Sequence, residues 1–391
     1  MSMEATRRAG SDPAERATAE REITKAGPLL DGRGRLAEPG WARRLLLEYD
    51  REAVRAPAFR IKEWDYYCVG DGRRALALTV ADNGYLGLVS ATYLDLETPF
   101  QVTESLMSAF PLGRTELPPS SEAGVTELRI KDGSLRFEAS GGERRLKVRW
   151  PGFGAKGDAM RGLERVGPAA GLLGGTGLEA DLILRELPPR ESMVIATPFP
   201  KAPRAFYYNQ KINCQTAEGD CRVGGLRVAF DPKTDAAVLD WGRGVWTYAN
   251  TWYWASASGQ LPGGGGADAR GGDDGAGEAF GFNLGCGFGD TSAATENMVF
   301  HQGRAHKIGR LDFELDHGDL MKPWRAVSED GRLDLTMTPV IDRAAETDLG
   351  LIASIQHQVF GRWSGFAVLD DGRRFEIRDF PGFAEKVRNR W

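Results

Sequence analysis

The stretch VTELRIKDGSLRFEASGGERRLKVRW, Val125–Trp150, carries the clearest strand signals in this chain. It contains three runs in which apolar residues alternate with charged or polar ones, separated by Asp132-Gly133 and Gly141-Gly142. Successive side chains of a strand point to opposite faces of a sheet, and Asp-Gly or Gly-Gly supplies the positive φ of a tight turn. The stretch therefore predicts a three-strand antiparallel meander with one face toward solvent.

Turn dipeptides flanked by alternating segments recur along the whole chain. They stand at Asp71-Gly72, Asn83-Gly84, Gln302-Gly303, Asp330-Gly331 and Asp371-Gly372. Many short strands joined by such turns are typical of a barrel or a sandwich. The chain has 391 residues, more than the ~250–300 that one hydrophobic core usually holds. We therefore expect an all-β fold of two consecutive antiparallel β modules, each closed around an apolar interior.

The sequence divides into three segments. Residues 1–27 are charged and alanine-rich without a sustained apolar stripe, so we expect a disordered tail or a frayed helix. Alternation fails in the glycine-rich stretch after Trp150, and a strand-like segment then leads to Pro188-Pro189. We therefore expect residues 28–190 to form the N-terminal β module and residues 191–391 the C-terminal β module. A second glycine-rich stretch, 263–277, predicts a surface loop because its composition cannot pack.

Charge and hydropathy exclude several classes of partner. The net charge of −5 provides no basic field for phosphates, so we expect no nucleic-acid partner. No run approaches the ~20 apolar residues that a spanning helix needs, and the N-terminus lacks the apolar stretch of a signal peptide. We therefore expect a cytoplasmic protein without an integral membrane segment, while transient membrane contact and the oligomeric state stay open.

Cysteine and histidine positions indicate neither a disulfide framework nor a metal site. No CxxC pair occurs among the cysteines, which are Cys68, Cys214, Cys221 and Cys286. Cysteines scattered in a large chain indicate reduced thiols, although Cys214 and Cys221 could face each other across a hairpin. His301 and His306 match neither the helical i, i+4 pair of a metalloprotease nor one face of a strand. We expect neither a metal nor a cofactor.

The aromatic stretch DWGRGVWTYANTWYW, 240–254, is the strongest candidate for a functional site. It holds four of the chain's ten tryptophans. Where the chain is extended, even-numbered residues share a face, and Gly242 and Gly244 would let it bend. That face would carry an acid and several large rings, from Asp240, Trp246, Tyr248, Asn250, Trp252 and Trp254.

Two interpretations of this face remain open. In the structural interpretation, the rings fill a wide barrel, and Asp240 closes a turn or pairs with Arg243. In the functional interpretation, the apolar surroundings make Asp240 easier to protonate, so that it can donate a proton while indole faces stabilise a developing cation.

Polar residues on both sides of this stretch could complete the site. Upstream, Lys211 could meet a ligand anion or an acidic neighbour such as Glu296, although such a lysine can also extend to solvent. Downstream, Glu296 and Asn297 precede an alternating strand, where they either orient a ligand at a barrel mouth or cap a turn. Asn283 belongs to the same polar set. The motifs of serine hydrolases and zinc proteases do not occur in the chain.

Three segments that include these residues resemble the bacterial domain-of-unknown-function family 2804. They are VLDWGRGVWTYANTWYWASASG, GFNLGCGFGD and TENMVFHQGRAHKIGRLDFEL, and the resemblance covers most of the chain after residue 28. That family is similar to calycin-like proteins that include hydroxyneurosporene synthase and tocopherol cyclase. The resemblance implies two consecutive lipocalin-like (calycin) antiparallel β-barrel modules, with an apolar ligand in or between them.

One position departs from the related carotenoid hydratase. In that enzyme a histidine precedes the tryptophan that Trp246 would match, whereas this chain has Val245 there. The resemblance therefore implies the fold and an apolar ligand, and it does not imply hydratase chemistry by that histidine.

These observations lead to three hypotheses about function. The first is a protein for an apolar, isoprenoid or lipid-like small molecule that acts as a cofactor-independent, acid-catalysed hydratase, cyclase or isomerase. In it Asp240 donates the proton and Tyr248 orients the substrate. The residues expected to bind the substrate are Trp246, Trp252, Trp254, Asn283, Glu296, Asn297 and Lys211. The second hypothesis is a non-catalytic carrier of a hydrophobic ligand, and the third is a carbohydrate-binding module with exposed rings as a stacking platform.

Overall fold

The computed structural model describes residues 20–262, 277–348, 350 and 352–390. In these residues the protein is nearly all β and forms two large antiparallel sheets, each curled into a half-barrel. The predicted fold class, two consecutive antiparallel β modules, is confirmed. The modules are half-barrels, because the ladder of each sheet begins and ends at an edge strand among the described residues.

The first sheet contains fifteen strands of the described chain. They are β2 (Gly40–Ala42), β4 (Ile61–Gly70), β5 (Arg74–Asp82), β6 (Leu86–Asp95), β7 (Phe100–Ala109), β8 (Ala123–Ile130), β9 (Gly133–Ser140), β10 (Glu143–Trp150), β11 (Asp158–Arg161), β12 (Glu164–Pro168), β13 (Leu178–Arg185), β14 (Met193–Pro198), β15 (Phe206–Val223), β16 (Leu226–Phe230) and β17 (Ala236–Val245). Their spatial order is β12-β11-β7-β6-β5-β4-β17-β15-β13-β10-β9-β8; β14 and β16 also pair with β15, and β2 pairs with β14.

The second sheet contains nine strands of the described chain. They are β18 (Ala249–Leu261), β19 (Glu278–Cys286), β20 (Met298–His301), β21 (Arg304–Lys307), β22 (Leu311–Glu314), β23 (Trp324–Ser328), β24 (Leu333–Asp348), β25 (Ala353–Val368) and β26 (Arg374–Arg390). Their spatial order is β21-β20-β19-β18-β26-β25-β24-β23-β22.

Short elements complete the described structure. Two short strands pair in parallel, β1 (Gly27–Pro28) and β3 (Leu47–Glu48). The helical elements are two 3-10 turns, Arg51–Ala53 and Ala58–Arg60, and one turn of α-helix, α1 (Ala169–Leu172). None of the described helices is long and apolar enough to cross a membrane.

The meander predicted from residues 125–150 is confirmed as β8, β9 and β10. Leu146 of β10 lies opposite Phe137 of β9 on one side and Leu182 of β13 on the other. All three side chains are buried, whereas the alternating positions Arg145 and Lys147 are exposed. Alternate side chains of β10 therefore point into the core and toward solvent, as the alternation in the sequence predicts.

The sheets pack against each other through β17. Ala237, Leu239 and Trp241 of this strand point into the core of the first sheet. Val238 points the other way and packs in a cluster that includes Phe383 of the second sheet. Every residue of β17 is buried, because the strand has a protein layer on both of its faces.

A bulge in β15 adds a polar connection between the sheets. Its register with β17 shifts between Ile212 and Gln215, and Cys214 has a φ of 58°. Asn213 reaches the second sheet, where its Nδ2 donates to Ser256 Oγ at 2.8 Å and to the carbonyl oxygen of Phe282 at 3.0 Å. Bulges re-aim side chains in this way.

The change of sheet does not coincide with the expected module boundary near residue 190. Strands β14–β17, from Met193 to Val245, belong to the first sheet, and the second sheet begins with Ala249. Pairing decides this arrangement, because β17 lies between β4 and β15. Turn and glycine content along the chain carries no information about such long-range pairing.

Part of the expected N-terminal tail is tied to the fold. Glu20 accepts hydrogen bonds from Thr295 and lies 2.8 Å from Lys307 Nζ, and Glu22 pairs with Trp41 in an isolated bridge. Residues 20–27 therefore form neither a free tail nor a helix. Residues 1–19 and almost all of the predicted loop 263–277 lie outside the described residues.

The four cysteines are free thiols, as expected. Cys214 and Cys221 do not face each other across a hairpin, because both lie on the single strand β15.

Candidate functional site

A cavity of about 650 Å³ lies between the two sheets. Its walls come from the strands around β17 in the first sheet and from β18, β24, β25 and β26 in the second. A cavity of this size, between two sheets and lined by rings with a few polar groups, has the character of a small-molecule site.

One wall is a transverse row of side chains on six neighbouring strands of the first sheet. Each member is the direct cross-strand partner of the next. We call it the lysine row; from β15 to β7 it consists of Lys211, Asp240, Tyr66, Thr79, Ser90 and Ser105. All six line the cavity.

The opposite wall is a similar row on five neighbouring strands of the second sheet. We call it the arginine row; from β24 to β19 it consists of Arg343, Gln358, Glu385, Trp254 and Gly285. Gly285 leaves room for a carboxyl group, because a Cβ at this position would lie 2.3 Å from Glu296 Oε1. Glu296 therefore occupies the end of this row.

The two rows touch each other across the cavity. Gln358 Nε2 donates to the hydroxyl oxygen of Tyr66 at 3.2 Å. The ammonium nitrogen of Lys211 lies 3.8 Å from the centre of the Trp254 ring. The site is thus built jointly by both sheets.

Lys211 and Asp240 form a nearly buried ion pair at one end of the lysine row. Lys211 Nζ is 2.8 Å from Asp240 Oδ1, and Asn209 Nδ2 donates to the same oxygen at 2.6 Å. Asn209 also donates to the carbonyl oxygen of Trp241 at 2.7 Å, which fixes its orientation. Asp240 is therefore a hydrogen-bond acceptor held between two donors, and Lys211 does not extend to solvent.

Glu296 and Glu385 are carboxyl groups near this pair that hold their protons more tightly than usual. Burial raises the pKa of Glu385 to about 7; the hydrogen bond from Gln356 and the charge of Lys211 oppose this shift, and the charge of Asp240 adds to it. Burial also raises the pKa of Glu296, opposed by Lys211 and reinforced by Asp240. A carboxyl group that can carry a proton near neutral pH, as Glu385 can, is suited to acid–base catalysis.

Aromatic rings form a continuous apolar wall beside the carboxyl groups. Trp246 contacts Trp64, Trp252 and Phe288 edge to face, with ring centres 4.9 to 5.6 Å apart. Tyr207 packs against the same Phe288 at 4.7 Å. Edge-to-face contacts at these distances stabilise the wall beyond the burial of the rings themselves.

The structure brings together most of the residues expected to form the site. Lys211, Asp240, Trp246, Trp252, Trp254 and Glu296 all line the cavity. The rings do not form an outer stacking platform, since Trp246 is 6% exposed and Trp254 is 5% exposed.

Three of the expected residues lie elsewhere. Tyr248 is in the turn between β17 and β18, is 51% exposed, and is not among the residues that line the cavity. Asn283 lies behind the wall, accepting from Trp254 Nε1 at 2.7 Å and donating to the carbonyl oxygen of Glu296 at 2.7 Å. Asn297 accepts from the backbone N–H of Gly285 and donates to the carbonyl oxygen of Gly309, so it shapes the backbone.

Sequence reasoning missed Glu385, Arg343, Gln358 and the lysine-row hydroxyls. Glu385 stands in the strand segment FAEKV, where it resembles an ordinary acid on the solvent face of a strand. Only the alternation with buried Phe383 and Val387 hinted that it points inward.

Arg243 and the two histidines considered from the sequence have structural partners outside the cavity. Arg243 pairs with Asp65 at 3.1 Å, and does not pair with Asp240. His301 contacts Glu278 at 2.9 Å and His306 contacts Asp370 at 3.2 Å, so the two histidines have separate partners. No group of three or more possible metal ligands is found in the described parts of the chain.

The family model for DUF2804, a domain of unknown function, matches residues 20–391. The chain therefore belongs to this family. A search of curated proteins finds no match.

Two solved structures are similar over almost their full lengths. A protein assigned as AttH from Nitrosomonas europaea has 13% identity and a TM-score of 0.42, with 93% of this chain and 99% of that chain covered. Kievitone hydratase from Nectria haematococca has 10% identity and a TM-score of 0.44, with 95% and 97% covered.

Proposed function

We propose that this member of the DUF2804 family binds an apolar, isoprenoid- or lipid-like small molecule in the cavity between its sheets. We further propose that it converts this molecule by cofactor-independent acid–base catalysis, as a hydratase, cyclase or isomerase. The observation that carries the proposal is the position of two carboxyl groups with raised pKa, Glu296 and Glu385, on the wall of a ring-lined cavity.

Glu385 is the proposed proton donor and Glu296 the second acid–base group. A donor with a pKa near 7 is present in both protonation states around neutral pH, which is the condition for efficient general acid–base catalysis. Asp240, in contrast, accepts from Lys211 and Asn209 and keeps both donors in place. In this proposal Asp240 is a positioning residue, which replaces the role of proton donor expected from the sequence.

The proposed step begins with transfer of the Glu385 proton to a carbon–carbon double bond of the ligand. The new C–H bond leaves a cationic carbon, which the ring faces of Trp252 and Trp246 stabilise. Water adds to it in a hydration, an internal double bond in a cyclisation, or a proton leaves in an isomerisation. In each case one proton returns to a carboxylate, so that the protein ends in its starting state.

A carrier without chemistry needs only the same ring-lined cavity. The two hypotheses differ in what the carboxyl groups do. A carrier leaves its ligand chemically unchanged whether Glu385 is present or replaced. An enzyme, in contrast, loses turnover but retains binding when Glu385 is replaced.

Native mass spectrometry of the purified protein, together with extraction of bound molecules, provides the first test of binding. A Ser90→Phe variant fills the cavity from the lysine row, and Ser140→Phe places the same ring at an exposed site as the control. We expect binding of N-phenylnaphthylamine and of any co-purified lipid in wild type and in Ser140→Phe, and its loss in Ser90→Phe. Equal binding by both variants would place the ligand outside this cavity.

Turnover is then followed on the co-purified molecule. The Glu385→Gln variant should still bind this molecule, but its kcat should fall at least about a hundredfold. This is the lower end of the rate loss expected when a general acid is removed. Unchanged chemistry in Glu385→Gln and Glu296→Gln would leave the carrier hypothesis.

A further inference from the structure

The guanidinium group of Arg343 lines the cavity, and its hydrogen-bond partners among the described residues are neutral. Its Nε donates to Thr92 Oγ1 at 2.8 Å and its Nη1 donates to Gln358 Oε1 at 2.7 Å. Among the described residues, no carboxylate oxygen lies within ion-pair distance of it. The other cation that lines the cavity, Lys211, is already paired with Asp240.

These two hydrogen bonds fix the position of Arg343 from both sides of the cavity. Thr92 belongs to β6 of the first sheet and Gln358 to β25 of the second. Thr92 is itself held by Thr103 at 2.8 Å. A long side chain that is held at two points loses little further entropy when it binds a ligand.

Arg343 is partly buried on the wall of a largely apolar cavity, where a cation without a counter-ion attracts an anionic group of a bound molecule. Among the described residues, no anion forms an ion pair with Arg343. Glu385 lies beyond ion-pair distance from it, and the charge of Arg343 only opposes the rise in the pKa of Glu385. The missing charge can be supplied by the ligand.

We propose that Arg343 binds a carboxylate group of the ligand, so that the molecule taken up by the cavity is an amphipathic acid with an apolar body. This inference rests on the proposed function, which it makes more specific. The ring wall of Trp246, Trp252 and Phe288 holds the apolar body, and the arginine row holds the acid group at its Arg343 end.

The charge balance favours a carboxylate over a phosphate. A carboxylate carries one negative charge, which a single guanidinium balances with paired hydrogen bonds. A phosphate monoester carries more charge at neutral pH, and the single guanidinium group of Arg343 would leave part of that charge uncompensated. No other unpaired cation lines the cavity among the described residues.

The test compares pyrenebutyric acid with pyrenebutanol, which have the same ring system and chain and differ in the anionic group. Binding is measured by the fluorescence of each probe at neutral pH. Wild type should bind the acid about tenfold or more tightly than the alcohol, the range expected for a hydrogen bond to a charged group. Inorganic phosphate in excess should not displace the acid.

Variants of Arg343 then assign the preference. Arg343→Met should reduce the affinity for the acid to that for the alcohol, and Arg343→Lys should retain part of the preference. Arg388→Met, which removes an exposed cation from β26, is the matched control and should change neither affinity. Melting temperature and circular dichroism of each variant establish that it is folded.

The outcomes separate the two proposals. Binding of neither probe would remove the ligand cavity, and with it the proposed function. Equal affinity of wild type for acid and alcohol would overturn the role of Arg343 and leave the proposed function intact. A preference for the acid that survives in Arg343→Met would likewise overturn that role. The comparison in wild type decides even when a variant does not fold.

Discussion

Lys211 and Asp240 lie directly opposite each other on β15 and β17, with 2.8 Å between Lys211 Nζ and Asp240 Oδ1. Their side chains are 3% and 10% exposed, and the ring of Trp254 covers the ammonium group. Such a pair contributes to stability only as a unit, because loss of one partner leaves the other charge buried without compensation.

The Asp240→Asn substitution should therefore destabilise the protein by about 3–5 kcal/mol. The double variant Lys211→Met with Asp240→Asn should recover more than half of this loss, since no unpaired charge remains. Urea unfolding measures both. The control is Asp334→Asn, which breaks the exposed pair with Arg325 and should cost about 1 kcal/mol or less. A loss in Asp240→Asn as small as in this control would contradict the prediction.

The raised pKa of Glu385 makes stability depend on pH. The folded state holds this proton more tightly than the unfolded state, whose pKa is near 4.5. The stabilisation by the protonated group is therefore complete below about pH 4.5 and is lost as the pH rises through about 7. Glu385→Gln keeps a neutral side chain throughout, so it should exceed wild type by roughly 1–3 kcal/mol above pH 8 and match it at acidic pH.

Urea unfolding across this pH range tests the prediction for Glu385. The matched control is Glu376→Gln, an exposed acid on the same strand, β26. Its difference from wild type should stay small and should not follow the same pH dependence. Parallel pH curves of wild type and Glu385→Gln would mean that Glu385 is not the buried titrating group described above.

Gly242 keeps space for the ring of Trp64 on the cavity wall. A Cβ at Gly242 would lie 1.9 Å from Cζ2 of Trp64, so Gly242→Ala must displace this ring. We expect a loss of stability of about 1–3 kcal/mol and weaker binding of N-phenylnaphthylamine. Gly152→Ala is the control, because a Cβ there has no neighbour within 4 Å. Equal melting temperatures of the two variants would show that Trp64 is not fixed against this glycine.

The aromatic wall and the exposed turn should respond differently to substitution. Trp252→Ala removes a ring that packs against Trp246 and Phe288 at the cavity, and should weaken N-phenylnaphthylamine binding by roughly tenfold. Tyr248→Ala lies outside the cavity wall and should leave the affinity within about twofold of wild type. Fluorescence titration measures both, and a stronger effect of Tyr248→Ala would return this residue to the site.

Local signals predicted the fold class well. Alternation with Asp-Gly and Gly-Gly turns is a short-range property, and it correctly indicated the meander β8–β10 and the two antiparallel modules. The change of sheet after Val245 depends on β17 pairing with β4, some 170 residues earlier in the chain. Pairing over that separation leaves no mark on local composition, so the boundary near residue 190 did not match it.

Part of the candidate site was also predictable from local sequence, and the rest depended on long-range pairing. The density of tryptophans after Asp240 was visible in the sequence, and three of the four rings do line the cavity. Trp241 has the opposite parity and packs against Tyr208 in the core of the first sheet, as alternation requires. Glu385 and Arg343 joined the site only through the register of β24, β25 and β26, which no pattern in the sequence revealed.

The meeting of the lysine row and the arginine row also sets what a fragment of this protein can do. Residues as distant as Tyr66 and Gln358 touch each other, so a chain divided between its two sheets would leave an open, half-finished wall on each piece. A molecule bound between the rows would therefore stabilise the association of the two halves. A mutation that changes ligand preference on one row must remain compatible with the other row, which is encoded far away in the sequence.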